Sequence, residues 1–174
     1  MKSQWVKARP VRLVKLVDIG EQIIKDHKDF RHMILRLWSS HNDEIETRKS
    51  ELSELMHRLS AHHVAEEKVL FPAMEELRPE KRFALELIEE HRSMSILYLD
   101  LDATPYGSEI WVPRLKPILE IHETHMAREE SALIPKLPSM FDKETLDRMS
   151  ADFARVLEEE NRKQSKVWQE LTVH

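Results

Sequence analysis

The sequence contains an internal repeat in which a histidine is followed four residues later by a glutamate. One copy is HHVAEEKVLFP at residues 62–72, and the other is HMAREESALIP at residues 125–135. Residues four apart lie on the same face of an α-helix, so each copy places an imidazole beside a carboxylate. The two pairs are His62 with Glu66 and His125 with Glu129. Each copy is therefore one half of a metal site.

A further histidine precedes each copy at nearly the same distance. His27 lies 35 residues before His62, and His91 lies 34 residues before His125. The repeated unit is thus a helix with one histidine, followed by a helix with a histidine and a glutamate. Such a duplication indicates a pseudo-twofold architecture and suits a two-metal centre between four helices.

Composition favours an all-α fold. The chain has only two glycines and is 34% charged, which disfavours a β fold rich in glycine turns and favours long helices. A length of 174 residues suits one domain with a substantial core. We therefore predict a single domain over residues 1–174, with a metal-binding bundle at about 12–137 and an additional C-terminal helix at about 142–171.

Several functional classes are disfavoured. The absence of cysteine removes disulfides, thiolate ligands and cysteine-bound clusters, so a metal must be bound through nitrogen and oxygen. A formal net charge of −5 gives no general attraction to nucleic acid or to anionic lipid. No run approaches the ~18 apolar residues of a membrane span, and the first residues lack the apolar stretch of a signal peptide. We expect a cytoplasmic protein with no nucleic-acid or membrane partner.

Apolar periodicity predicts five helices, and the four histidines lie on their inward stripes. The helices run from about 12 to 40, from about 42 to a break at Pro72, from Pro79 to the turn-forming DATPYGS, from a start between 108 and 117 to Pro135, and from about 142 to 171. The fifth helix is apolar enough to pack on the bundle or on a second copy of the chain, as a homodimer.

The inward carboxylates strengthen the case for metal, because burying them is costly unless they are paired or metal-bound. Two metals would each take two histidine nitrogens, one oxygen from each bridging glutamate and a bridging oxide or hydroxide. That count leaves one open position on each six-coordinate ion, where a small molecule would bind. Nitrogen and oxygen ligands with bridging carboxylates favour iron over manganese or zinc. The predicted metal ligands are His27, His62, Glu66, His91, His125 and Glu129.

The other histidines and the second glutamate of each repeat are given lesser roles. His122 lies three residues before His125 and is interpreted either as a core residue or as a residue that supports or replaces a ligand. Glu67 and Glu130 are rotated ~100° from the bridging glutamates and are predicted to be solvated or in surface ion pairs. Replacement of His63 or Glu67 is expected to leave the metal content nearly intact. The histidines predicted at the surface are His32, His41, His57, His63 and His174.

With these motifs, residues 15–135 or so resemble a hemerythrin-like domain, also called the HHE cation-binding domain. The resemblance implies an up-down four-helix bundle with a non-haem di-iron centre. Oxygen-storage members of that family have a further histidine four residues after the one in the third helix, and this chain has Ser95 there. The implied centre is therefore the variant with four histidines and two glutamates. His27 and His62 would bind one iron, His91 and His125 the other, and Glu66 and Glu129 would bridge them.

The resemblance implies a protein that binds O2, NO or peroxide at the metal pair, or that handles iron, in sensing, scavenging or storage. One alternative is a di-iron enzyme that reduces peroxide or NO. Another is a repair protein for iron–sulfur clusters, although this chain lacks the N-terminal cysteine pair of many such members. A third is a metal-free helical interaction module whose histidines are core residues.

Overall fold

The computed structural model describes the backbone of residues 17–172 and the side chains of residues 17–163. Helices and short connections make up this part of the chain, which confirms the all-α fold class, and none of its helices is long and apolar enough to cross a membrane. The start of the first predicted helix, residues 12–16, lies outside the described residues. The α-helices are α1 (Ile19–Trp38), α2 (Ile45–Ala65), α3 (Phe71–Glu75), α4 (Lys81–Asp102), α5 (Trp111–Arg128), α6 (Leu137–Met140) and α7 (Lys143–Thr172).

Four of these helices form a closed bundle. Helix α1 packs on α2 and α5, and α4 packs on the same two helices. The connections between consecutive helices are short, so neighbouring helices run in opposite directions, as in an up-down bundle. Every bundle helix therefore presents one face to a common interior.

That interior is apolar at both ends and polar in the middle. One apolar cluster includes Ile23, Leu87 and Leu133, and the other includes Phe30 and Leu115. Along each bundle helix, the predicted ligand residues lie between positions of the first cluster and positions of the second. The sequence thus places a layer of histidines and glutamates inside an otherwise hydrophobic core.

Each of the two repeats contains a π turn that starts at its glutamate. The first π turn is Glu66–Leu70 and the second is Glu129–Leu133. Phe71 N–H donates to the Glu66 carbonyl, and the equivalent bond in the second repeat closes the same wider ring. The prediction that the second helix ends at Pro72 is wrong. The chain continues through α3, because a proline is tolerated in the first turn of a helical segment, where its missing N–H has no partner to lose. π turns of this kind are frequent at functional sites.

The additional helix α7 packs on the bundle. Its residues Met149, Phe153 and Val156 are buried in the first apolar cluster. The Ser150 hydroxyl accepts a hydrogen bond of 3.0 Å from the backbone N–H of Ile19, the first residue of α1. Helix α7 is therefore fixed against the start of the bundle, and a homodimer formed through it stays a prediction.

Candidate metal centre

The structure brings all six predicted ligand residues into one buried cluster, each with at most 2% of its surface exposed. Two groups of four residues have ligand atoms within 4.8 Å of one another. One group contains His27 and His62, the other contains His91 and His125, and both contain Glu66 and Glu129. The cluster thus has the composition of two sites that share two carboxylates.

Glu66 lies between the two histidine pairs. Its Oε1 is 3.4 Å from His62 Nε2, and its Oε2 is 3.4 Å from His91 Nε2. Burial alone would raise the pKa of Glu66, but the neighbouring imidazoles outweigh burial and hold that pKa well below its ordinary value. Glu66 is therefore an ionised carboxylate with one oxygen toward each pair.

Glu129 has the equivalent position in the second repeat. Its Oε2 is 3.1 Å from His27 Nε2 and 3.5 Å from His125 Nε2. The Nε2 atoms of His91 and His125 are 3.2 Å apart. The two carboxylates and the inward imidazole nitrogens thus converge on one small region between the helices.

Several polar atoms of this region have no hydrogen-bond partner among the described residues. They include His62 Nε2, both carboxylate oxygens of Glu66 and both carboxylate oxygens of Glu129. Buried polar groups are almost always hydrogen-bonded, and an unpaired one costs about 1–3 kcal/mol, more if it is charged. Cations placed between the imidazoles and carboxylates would satisfy these atoms, so the residues fit a metal pair. The nitrogen and oxygen donor set suits iron, manganese or zinc.

A ring of four carboxylates surrounds the histidines. Each carboxylate lies against the Nδ1 of a predicted ligand histidine on the next helix, which directs the opposite nitrogen, Nε2, toward the centre. A histidine Nδ1–H held in this way fixes the tautomer and the ring orientation that metal binding needs. The contacts are Glu130 to His27 at 2.9 Å, Asp26 to His62 at 3.1 Å, Glu67 to His91 at 2.8 Å and Glu90 to His125 at 2.8 Å.

The expectation that Glu67 and Glu130 are solvated or in surface ion pairs is therefore incomplete, because each also contacts a buried histidine. Glu130 does pair with Arg31, at 2.8 Å, but the same oxygen also contacts His27. A π turn takes more residues per turn than an α-helix, so it rotates successive residues by less than ~100° and keeps both glutamates of a repeat near the interior. Sequence reasoning missed Asp26 and Glu90 altogether. Their signal is an acidic residue directly before the first histidine of each repeat.

Two of the inward histidines hold protons when no cation is present. Burial alone would lower the pKa of His62, but Glu66 and Asp26 raise it to about 10. Burial alone would likewise lower the pKa of His91, but Glu66 and Glu67 raise that pKa to about 9. At neutral pH both rings are therefore cationic in the metal-free protein, and a metal ion must displace their protons.

Comparison with known proteins places this geometry in a family. A family model described as the hemerythrin HHE cation binding domain matches residues 18–137, which is most of the chain. The chain belongs to the hemerythrin family. It is also 26% identical, over 150 residues, to an uncharacterized hemerythrin-like protein of Schizosaccharomyces pombe, covering 84% of this chain and 73% of that protein. No solved structure matches the chain significantly.

His63 occupies an unexpected position in this hemerythrin-like centre. The prediction that it lies at the surface is wrong, because only 6% of its surface is exposed. Its ring is stacked on that of His91, with centroids 3.6 Å apart and planes 8° from parallel. Burial and the neighbouring His91 hold the pKa of His63 well below its ordinary value, so its ring is neutral. The signal in the sequence is the doubled histidine of the first repeat, where the second repeat has His125 and Met126.

His122 is buried but belongs to neither ligand group. Its Nε2 lies 2.9 Å from the Tyr98 hydroxyl. Burial and then the nearby His125 lower the pKa of His122 to about 3, and burial raises the pKa of Tyr98. The tyrosine therefore keeps its proton, and the imidazole that shares this hydrogen bond is neutral. This pair supports the interpretation of His122 as a core residue.

Aromatic side chains border the histidines of the hemerythrin-like cluster. Phe30 and Phe153 make edge contacts with His62, with ring centroids 5.2 and 5.9 Å apart. Phe71 lies 5.5 Å from His91. Apolar surroundings of this kind limit water access and favour small uncharged ligands over large polar ones.

Proposed function

We propose that this protein holds two iron ions between α1, α2, α4 and α5 and that it binds O2, NO or peroxide there, in sensing, scavenging or iron handling. His27 and His62 would hold one ion, His91 and His125 the other, with Glu66 and Glu129 between them. The observation behind the proposal is the convergence of buried imidazoles and carboxylates, several of whose atoms have no hydrogen-bond partner among the described residues. Iron is proposed because bridging carboxylates with imidazoles and no sulfur are ligands it favours.

When bound, the iron pair would supply an open coordination position and the capacity to exchange electrons with a small ligand. The protein's own residues would control access to that position. The four outer carboxylates hold the imidazoles in their binding orientation, and the phenyl rings around them exclude bulk water.

The test is metal analysis of the full chain, purified without chelator and reconstituted anaerobically with ferrous iron. We expect about two iron ions per chain and a spectral change when azide or NO is added to the reduced protein. A content below about half an ion per chain would refute the proposal. The matched control is the double variant Glu66→Ala, Glu129→Ala, which keeps all histidines but removes both shared carboxylates.

The same preparation separates binding from turnover. Stoichiometric uptake of NO or peroxide, ending when the iron is saturated, is expected of a sensor or a store. Sustained consumption in the presence of a reductant would instead identify a peroxide- or NO-reducing enzyme. Both outcomes use the same metal centre, so metal content is measured in each experiment.

A further inference from the structure

Helix α2 directs two adjacent histidines into the cluster, and only His62 belongs to the set of six ligands. The next residue, His63, lies face to face with His91 and makes an edge contact with His125, with ring centroids 5.8 Å apart. A ligand atom of His63 lies within 4.8 Å of ligand atoms of both His91 and His125. These three histidines therefore form a third metal-competent group, which overlaps the site of the second ion.

The ring nitrogens of His63 are not occupied elsewhere. Within the described part of the chain, its ring contacts are with other imidazoles, and no hydrogen bond from its side chain is found. Neither nitrogen is among the fully buried polar atoms that lack a partner, so both keep some access to solvent and are available to a cation. Stacking on His91 accounts for the plane of the His63 ring but leaves its nitrogen lone pair without a role.

We infer that His63 is a third histidine ligand of the metal ion held by His91 and His125, an inference that rests on the proposed metal pair. Because the His63 ring is stacked parallel to His91, it must turn out of the stack to direct a nitrogen at the same ion. That ion would then have three imidazoles, while the ion at His27 and His62 would have two. The open position would be confined to the latter ion.

The two repeats differ at this position in a way that supports the asymmetry. His63 corresponds to Met126 under the 63-residue shift that aligns His62 with His125. Met126 is buried, and its thioether is a soft donor that suits iron with hard oxygen ligands poorly. The ion at His27 and His62 thus has no equivalent third nitrogen.

Helix α4 provides no alternative. Ser95 lies one turn after His91, but its hydroxyl donates to the carbonyl of His91 at 2.9 Å, within its own helix. Any third nitrogen for this ion would therefore come from another helix, and His63 on α2 is the histidine that the structure places beside His91 and His125.

The inference predicts how many NO molecules the reduced centre takes up. We expect about one NO per ferrous pair in the unaltered protein, because one ion has its positions filled by protein ligands. The variant His63→Phe keeps an aromatic ring for the stack on His91 but has no donor nitrogen. We expect it to bind about two NO per pair, and added imidazole to return the count to about one. The control is His57→Phe, at a half-buried histidine of the same helix outside the three groups.

Iron content and helical circular dichroism are measured first in every sample. Iron near zero in the unaltered protein refutes the metal pair itself, and with it this inference. Two irons that bind about two NO in the unaltered protein refute the role of His63 alone, whether or not the variants fold. An uptake that stays at about one in a folded, iron-loaded His63→Phe protein refutes it as well.

Discussion

Replacement of Glu67 with alanine tests whether the outer carboxylates support metal binding. Glu67 Oε1 lies 2.8 Å from His91 Nδ1, and its side chain is about a third exposed. No other hydrogen bond or ion pair of Glu67 is found among the described residues, so the substitution removes one contact without creating a cavity in the core. The result therefore isolates the effect of that contact on His91.

The expected magnitude follows from the position of this contact. Loss of a carboxylate behind a metal-bound histidine typically lowers metal affinity by about 10–100-fold, which is about 1.4–2.7 kcal/mol. A second effect opposes the first. Glu66 and Glu67 both raise the pKa of His91, to about 9, so removal of Glu67 lets the ring lose its proton more easily and reduces proton competition with the metal. The loss should therefore be smaller at pH 7 than near pH 9.

The assay is an anaerobic competition for ferrous iron between the protein and a coloured chelator, at pH 7 and at a higher pH. Glu67→Gln, which keeps an oxygen that accepts a hydrogen bond, should fall between the unaltered protein and Glu67→Ala. Glu54→Ala is the control, since Glu54 is exposed on α2, away from the cluster. An affinity within about twofold of the unaltered protein at both pH values, or an equal loss in the control, would refute the supporting role of Glu67.

Three further outcomes are expected. Glu66→Ala or Glu129→Ala alone should abolish the paired centre, measured as iron content, because each removes a carboxylate that faces both histidine pairs. Iron loading should raise the midpoint of thermal unfolding, since ligands from four helices bind only in the folded chain; equal midpoints with and without iron would contradict this. The metal-free protein should lose stability to urea as pH rises from about 6.5 toward about 10. Folding raises the pKa values of His62 and His91, so the stability that these protonated rings contribute is complete below the unfolded pKa and is lost above the folded pKa. The iron-loaded protein should not show this loss of stability.

Helical periodicity was enough to predict which residues meet in the centre of the bundle. His62 and Glu66 share a helix face because they are four residues apart, and the apolar residues before them show that this face is the buried one. The same reasoning applies to His125 and Glu129. A single histidine on α1 and another on α4 join them because the inward stripes of four antiparallel helices meet at one level.

Periodicity could not predict contacts that depend on how far one helix lies from the next. Asp26 precedes the predicted ligand His27 on its own helix but contacts His62 on another, so its role is set by the packing of α1 on α2. The position of Glu67 depends in addition on the first π turn, which an assumed α-helix does not contain. Periodicity predicts a surface position for His63 because it is ~100° from His62, yet its ring stacks on that of His91 on α4.

Helix α7 lies beyond residues 18–137, the segment matched by the family model, yet it forms part of the wall around the centre. Phe153 is completely buried and contacts His62 with its ring edge. The bond from Ile19 to Ser150 fixes this helix to the start of α1, eight residues before His27. The apolar surroundings of a metal site control its solvent access and redox potential. The reactivity of the proposed centre should therefore depend on a helix outside the matched segment as well as on the predicted ligands inside it.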